Sequence, residues 1–269
     1  WIKQFVNMTK KYQPDSCVIV GNSVAGAIPD LFLNKTKGDI VITGEGEISA
    51  YEAVEAVRLG KDLKTVTGIS FRNDDGTITT TEHRKVGDIN DFPFINWDYF
   101  DIERYINQKV KIPSISDLPN QEMIRSMPII SARGCAFRCS FCHFVYWDDP
   151  YRNRTPESIL GEIKYLIEKY NVNHIDFFDD LTFASAHQVV KLCDAIEKSG
   201  LKFKWSASIR VDLFSRAKLS FDDSLKVAKR MKANGCITSG FALESGNKEI
   251  LKMMNKEIDP SEFLTTVKI

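Results

Sequence analysis

The sequence predicts an α/β chain built in two parts, and three observations carry that expectation. Between Cys17 and Gly60 short apolar runs alternate with helical patterns. From Met127 onward a strand, a loop and a helix recur in four units, and the stretch between, residues 61–126, follows neither rhythm. Alternation of strand and helix favours parallel strands covered by helices, because each crossover must lay an apolar face on the sheet.

In the first part "CVIVG" and "DIVITG" read as strands, and "AIPDLFL" and "EISAYEAVEAVRLG" as the helices that follow them. Ile48, Tyr51, Val54 and Val57 recur at three-residue steps, so they are expected to form the face that packs on the sheet. Two strands are too few for a stable doubly wound sheet, so residues 1–60 read as the C-terminal part of a Rossmann-like domain. The chain opens at Trp1 and closes inside what reads as an amphipathic helix, from which a longer parent chain is expected.

Residues 61–126 begin with a hairpin, "ISFR" and "TITT" joined by Asn-Asp-Asp-Gly, residues that tolerate positive φ. The following "DINDFPFINWDYFDIERY" is aromatic and non-periodic, and reads as an ordered linker, since so many rings are poorly placed in a solvated tether.

Residues 127–269 carry the strands "PIISA", "HIDFFDD", "WSASIR" and "ITSGFALE". The first long helix has Thr155 as N-cap and Pro156 at its first position, with Ile159, Ile163, Leu166, Ile167 and Tyr170 on one side. Four such units make the first half of a (βα) barrel, truncated after the fourth strand. Active sites in these folds gather at the C-terminal ends of the strands.

Composition narrows the partners. With 36 Lys plus Arg against 36 Asp plus Glu, no overall field draws the 269-residue chain to nucleic acid, an anionic membrane or acidic substrates. No apolar run approaches membrane-spanning length and no signal peptide is visible, so a cytoplasmic chain is expected. Cys17, Cys193 and Cys236 sit singly in apolar surroundings and are expected to be buried thiols, which favours a reducing compartment. His83, His143, His174 and His187 read as ordinary loop or surface residues.

The remaining cysteines, Cys135, Cys139 and Cys142, fall within "SARGCAFRCSFCHF", just past the first strand of the half-barrel. Structural zinc wants four ligands, and the nearest fourth is His143, which adjoins Cys142 and is poorly placed to share one tetrahedral ion with it. A redox dithiol leaves Cys135 unexplained. An iron-sulfur cube held by three thiolates keeps one iron open for a reacting ligand, although C-x3-C-x2-C matches neither common ferredoxin spacing.

"CAFRCSFC" resembles the signature of the radical S-adenosylmethionine (SAM) superfamily. The resemblance implies a [4Fe-4S] cluster on the three cysteines, SAM on the open iron, and reductive cleavage of SAM to a 5′-deoxyadenosyl radical. It places Phe141 near the adenine. It makes Asp179 and Asp180, in "FFDDLTF", candidates for the methionine end of SAM. Ser208 and Arg210, in "SASIRVD", would point to one side, Arg210 meeting the SAM carboxylate or forming a rim salt bridge. Glu244, in "GFALESGNKEI", would meet the ribose hydroxyls or serve as a carboxylate at a helix start.

"VIVGNSVAG" and "DIVITGEGE" resemble the second half of the cobalamin-binding module that precedes the barrel in one branch of the superfamily, with Gly21, Gly44 and Gly46 as the contacts. "GNSVAG" lacks the Lys-Ser/Thr pair of a phosphate loop. The resemblance therefore implies a cobalamin-dependent methyltransferase acting at carbon or phosphorus, or a cyclase-like ring-remodelling enzyme. Such an enzyme takes a small-molecule substrate and an electron donor such as flavodoxin or ferredoxin. Two alternatives remain open: a radical SAM enzyme whose front domain is a scaffold without cobalamin, and a non-catalytic metal-binding module.

Overall fold

The computed structural model of the chain describes residues 1–106, 124–142 and 149–269. His143 and most of the C-terminal quarter of the expected linker, residues 107–123, lie outside the described residues. The chain divides into two units, Trp1–Gly87 with His143–Asp149, and Asp88–Cys142 with Pro150–Ile269.

The front unit runs α1 (Ile2–Tyr12), β1 (Ile19–Val20), α2 (Ser23–Ala27), α3 (Pro29–Lys35), β2 (Ile40–Ile42), α4 (Gly46–Leu59), β3 (Ile69–Arg72) and β4 (Ile78–Thr80). Its sheet has the order β1-β2-β3-β4. β1 and β2 are parallel, with Ile19 opposite Ile40, whereas β2, β3 and β4 pair antiparallel. The hairpin expected in the linker is therefore the second half of this sheet, and the linker reading of residues 61–87 gives way to a mixed four-stranded sheet.

Two further expectations fail in this unit. Ile48, Tyr51, Val54 and Val57 are exposed, and α4 turns Ser49, Ala53 and Ala56 inward instead. Ala53 and Ala56 join the cluster of Ile40, Ile42, Ile69 and Phe71, where small side chains let a helix backbone approach a sheet more closely than Ile or Tyr would allow. Cys17 is exposed as well. It precedes β1, which stands at the edge of the sheet formed by the described residues.

The second unit begins with α5 (Ile102–Ile106) and continues β5 (Ser126–Ile129), β6 (Ala132–Arg133), β7 (Arg152–Asn153), α6 (Pro156–Tyr170), β8 (His174–Phe177), α7 (Ala186–Ser199), β9 (Lys204–Ile209), α8 (Phe221–Ala233), β10 (Cys236–Phe241), α9 (Lys248–Met253) and α10 (Pro260–Lys268). Its main sheet is wholly parallel, in the order β10-β9-β8-β5. Each βα unit thus adds one strand beside the last, as in a half-barrel. The aromatic segment packs on α6: Phe94 lies 6.2 Å from Tyr165, and Asp98 accepts from the Tyr170 hydroxyl at 2.8 Å.

α6 starts as its sequence dictates, with the Thr155 hydroxyl accepting from the Ser158 N–H and Pro156 in the first turn. Ile159, Ile163, Leu166 and Tyr170 enter the core, where Phe177, Phe183 and Trp205 meet edge to face or tilted. Cys193 is buried and Cys236, at the edge strand β10, is half-buried. His174 is fully buried, not on a loop or the surface, with Nδ1 2.8 Å from Ser126 Oγ and Nε2 2.9 Å from Ser206 Oγ. Strand pairing sets Ser126 opposite His174, and Ser206 lies two positions beyond Lys204, the β9 residue that faces His174. His187 is exposed on α7. No described helix is long and apolar enough to cross a membrane.

Candidate functional site

The loop that carries the three cysteines leaves the C-terminal end of β5, and its base is closed by the antiparallel pair β6–β7, Ala132 opposite Asn153 and Arg133 opposite Arg152. Gly134 opens the loop at φ 80°, and a Cβ there would stand 3.1 Å from the Pro150 carbonyl oxygen, so glycine is required by both backbone and space. Asp179, just past β8, locks the same base. Its carboxylate accepts from the N–H groups of Ser131 (2.7 Å) and Ala132 (3.0 Å) and from the Ser131 hydroxyl (2.6 Å). Arg154 adds bonds to the Ile130 and Ser158 carbonyls and a buried ion pair with Glu162.

The other side of the loop is held from a distant stretch of chain. Ser140 N–H donates to the Met254 carbonyl at 2.8 Å, and Asn255 Nδ2 donates to the Arg138 carbonyl at 2.7 Å. Phe137 lies under two guanidinium groups, Arg210 at 3.5 Å and Arg216 at 4.5 Å from its ring centre.

Cys135 and Cys139 are half-buried and Cys142 is exposed. Loss of solvent raises the Cys135 and Cys142 thiols, and Cys139 and Asp180 push both further up; the Phe137 N–H and Arg210 act against this at Cys135, and Lys256 does so at Cys142. Each must shed its proton to become a metal ligand. Among the described residues, no three His, Cys, Asp or Glu side chains close on the position of a single ion. Three thiols near enough to influence one another suit a cube that takes one thiolate on each of three irons.

The predicted SAM-binding residues divide. The Asp180 charge adds to the upward push on both Cys135 and Cys142, and its own carboxyl is pushed up by desolvation. Asp179 is structural, engaged in the loop base. Ser208 is exposed on β9 opposite Gly240 of β10. Arg210 forms the salt bridge: Nε and Nη2 donate to the Asp212 carboxylate at 3.0 Å each, and Nη2 also donates to the Lys256 carbonyl. Among the described residues, these bonds leave Nη1 as what Arg210 can offer a ligand. Phe141 is half-exposed, with the Lys256 amine 5.5 Å from its ring centre.

Glu244 does not start a helix, since Asn247 caps α9. It sits past the end of β10 at φ 70°, a left-handed conformation that costs a non-glycine residue about 1 kcal/mol or more, with Lys256 Nζ 2.9 Å from its Oε1. Three residues that were not among the sequence candidates thus complete the surroundings: Phe137, Asp212 and Lys256. The signal for Asp212 was its opposite charge two positions after Arg210; the role of Lys256 depends on contacts far away in the chain.

In the front unit Gly21 follows β1 and Gly44 and Gly46 follow β2, so all three stand at the C-terminal edge of the parallel pair. None has positive φ; Asn22, at φ 81°, supplies that conformation in the first turn. A Cβ at Gly21 or Gly46 would make ordinary contact with Ile42, whereas at Gly44 it would stand 3.4 Å from the His83 ring. His83 Nε2 in turn lies 3.2 Å from Asp149. Glycine at positions 21 and 46 is therefore not demanded by the protein's own backbone or packing, which suits close approach by a bulky ligand.

A cysteine loop at the C-terminal end of the first strand of a parallel half-barrel defines a class of cluster-bearing α/β proteins. The model of the radical SAM superfamily matches residues 129–269, and the chain belongs to that family. Membership brings a [4Fe-4S] cluster and SAM as its cofactors, on a donor set that fits them. Over 97% of its length the chain is 26% identical to an uncharacterised methyltransferase of Pyrococcus horikoshii, covering 52% of that protein. It is also 26% identical to the anaerobic magnesium-protoporphyrin IX monomethyl ester cyclase of Rubrivivax gelatinosus, over 94% of the chain and 43% of the cyclase. Among solved structures, the cobalamin-dependent SAM radical enzyme OxsB, with aqua-cobalamin and SAM bound, shares the fold at a TM-score of 0.72 and 18% identity, over 98% of this chain and 36% of OxsB. The chain spans about half the length of the curated relatives it matches.

Proposed function

We propose that the chain is the cofactor-binding part of a cobalamin-dependent radical SAM enzyme that transfers a methyl group or remodels a ring of a small-molecule substrate. The observation that carries this reading is the set of three thiols on a loop braced from both sides, with Asp180, Arg210 and Glu244 around it. When bound, the cluster and SAM supply one-electron cleavage of a sulfonium, and cobalamin supplies a transferable methyl group. Cys135, Cys139 and Cys142 hold the cluster. Asp180 suits the amino group of the SAM methionine moiety, Arg210 Nη1 its carboxylate, Glu244 the ribose hydroxyls and Phe141 the adenine, with Ser208 on the same side. A flavodoxin- or ferredoxin-type donor would deliver the electron.

Residues 1–87 are assigned as the Rossmann-like cobalamin-binding part, with Gly21, Gly44 and Gly46 at the strand ends where a corrin would lie. Support comes from their shared sheet edge and from the likeness to relatives described as methyltransferase and cyclase. A scaffold role for the front unit is the second reading, favoured by the His83 ring, which occupies the space beside Gly44.

Anaerobic reconstitution of the full-length protein tests the whole assignment. It should take up about four irons per chain, as a cube requires, and Cys135→Ala, Cys139→Ala and Cys142→Ala should each abolish uptake while Cys17, Cys193 and Cys236 prove dispensable. Incubation with a corrinoid should give a retained corrin spectrum that Gly46→Phe removes without loss of the cluster. Equal retention by both would refute the corrin site, and retention by neither would favour the scaffold.

A further inference from the structure

Lys256, in the turn between α9 and α10, is an anomaly for a lysine, with its side chain only 7% exposed. Its amine donates to the Ala242 carbonyl at 2.6 Å and to Glu244 Oε1 at 2.9 Å, and lies over the Phe141 ring. Its own carbonyl accepts from Arg210 Nη2 at 2.9 Å. The neighbouring residues Asn255 (φ 50°) and Glu257 (φ 48°) both adopt left-handed backbone, a conformation rare enough outside glycine to mark a constrained turn. Met254 and Asn255 bind the cysteine loop directly, through Ser140 and Arg138. One short turn therefore ties together the cysteine loop, the end of β9 and the end of β10.

A purely mechanical brace needs no cation. Asn255 and the Met254 carbonyl already fasten the loop, and an apolar side chain would fill the space beneath Phe141 without the cost of burying an amine. The Lys256 amine stands 5.5 Å from the ring centre of Phe141, the residue that adjoins Cys142, and its bond to Oε1 fixes the Glu244 carboxylate. Cluster potentials respond to nearby charge, and one positive charge favours the reduced, more negative state.

Resting on the radical SAM assignment above, we propose that Lys256 is a positioning residue of this site: it fixes Glu244 for the SAM ribose and supplies the buried positive charge that makes the cluster easier to reduce.

The test uses full-length protein reconstituted with iron and sulfide, comparing wild type, Lys256→Met, Lys256→Arg and Asn255→Ala. Iron content, the cluster midpoint potential and the SAM dissociation constant are measured for each. Lys256→Met should keep its iron, move the potential to more negative values and weaken SAM at least about tenfold, the loss typical of a charged hydrogen bond. Lys256→Arg should restore the potential. Asn255→Ala should release iron faster to a chelator at an unchanged potential, separating brace from charge. Wild-type potential and SAM affinity in Lys256→Met would overturn the proposal, as would loss of iron there that Lys256→Arg fails to correct. Absence of a cluster from the wild type would sink the family-based reading itself.

Discussion

Helices α4 and α6 are nearly equal in length, 14 and 15 residues, and each packs on a sheet, yet they do so in opposite ways. α6 buries Ile159, Leu160, Ile163, Leu166 and Tyr170, while α4 buries only Ser49, Ala53 and Ala56 and leaves Ile48, Tyr51, Val54 and Val57 in the open. A fully buried Leu or Ile contributes roughly 1.5 to 3 kcal/mol and an alanine methyl much less. The second unit is thus anchored by large side chains gathered on one helix face. The front unit is held by close approach of backbone to sheet, with its own apolar stripe unused. Periodicity identifies a face on each helix, but only the competition among side-chain sizes decides which face turns inward.

The sharpest way to break this comparison is to cut a large side chain from α6. Leu166 is fully buried, and Leu166→Ala should cost about 2 to 5 kcal/mol in chemical denaturation, through lost transfer energy and the cavity left behind. A cost under about 1 kcal/mol would mean that α6 is not the anchor its burial implies.

What was legible in the sequence follows the same physics. α6 was readable because cap, proline and apolar spacing agree locally, and the hairpin because its turn residues do. That the hairpin completes the front sheet was not readable, since strand pairing is a long-range choice that turn chemistry does not reveal. At the site, the cysteine spacing is local and visible, whereas Asn255 reaches Arg138 across 117 positions and leaves no periodic trace. Asp179 and Asp180 look alike as a pair. Only the fold separates them, turning Asp179 to the loop base and leaving Asp180 near the thiols.

A smaller effect comes from a group that, among the described residues, only the second unit carries within its sheet, since no described strand of the front sheet contains a histidine. Burial, aided by Lys204, pushes His174 down to about 4 from the usual 6.5. Between those values the unfolded chain binds a proton that the folded chain refuses, so stability present above pH 6.5 is lost as the pH falls toward 4. The expected loss between pH 7 and pH 5 is about 2 kcal/mol. His174→Gln keeps polar groups near Ser126 and Ser206 and should lose this dependence, while contributions from carboxylates such as Asp179 cancel in the difference. The same pH slope in both proteins would assign the acid sensitivity elsewhere.

The smallest expected effect lies on the unused stripe of α4. Val54 is 50% exposed and stands beside the inward Ala53, so Val54→Ser removes little buried area and should change stability by no more than about 0.5 kcal/mol. Serine forms helix slightly differently from valine, but the gap between them is small on any propensity scale. The control is Ala53→Leu one position earlier, where added volume must enter the seam against Ile40 and Phe71 and should cost about 1 to 3 kcal/mol. A reversed ranking, with Val54→Ser the more damaging, would show that α4 packs on the face its periodicity suggests and that the small-residue seam is not what holds the front unit.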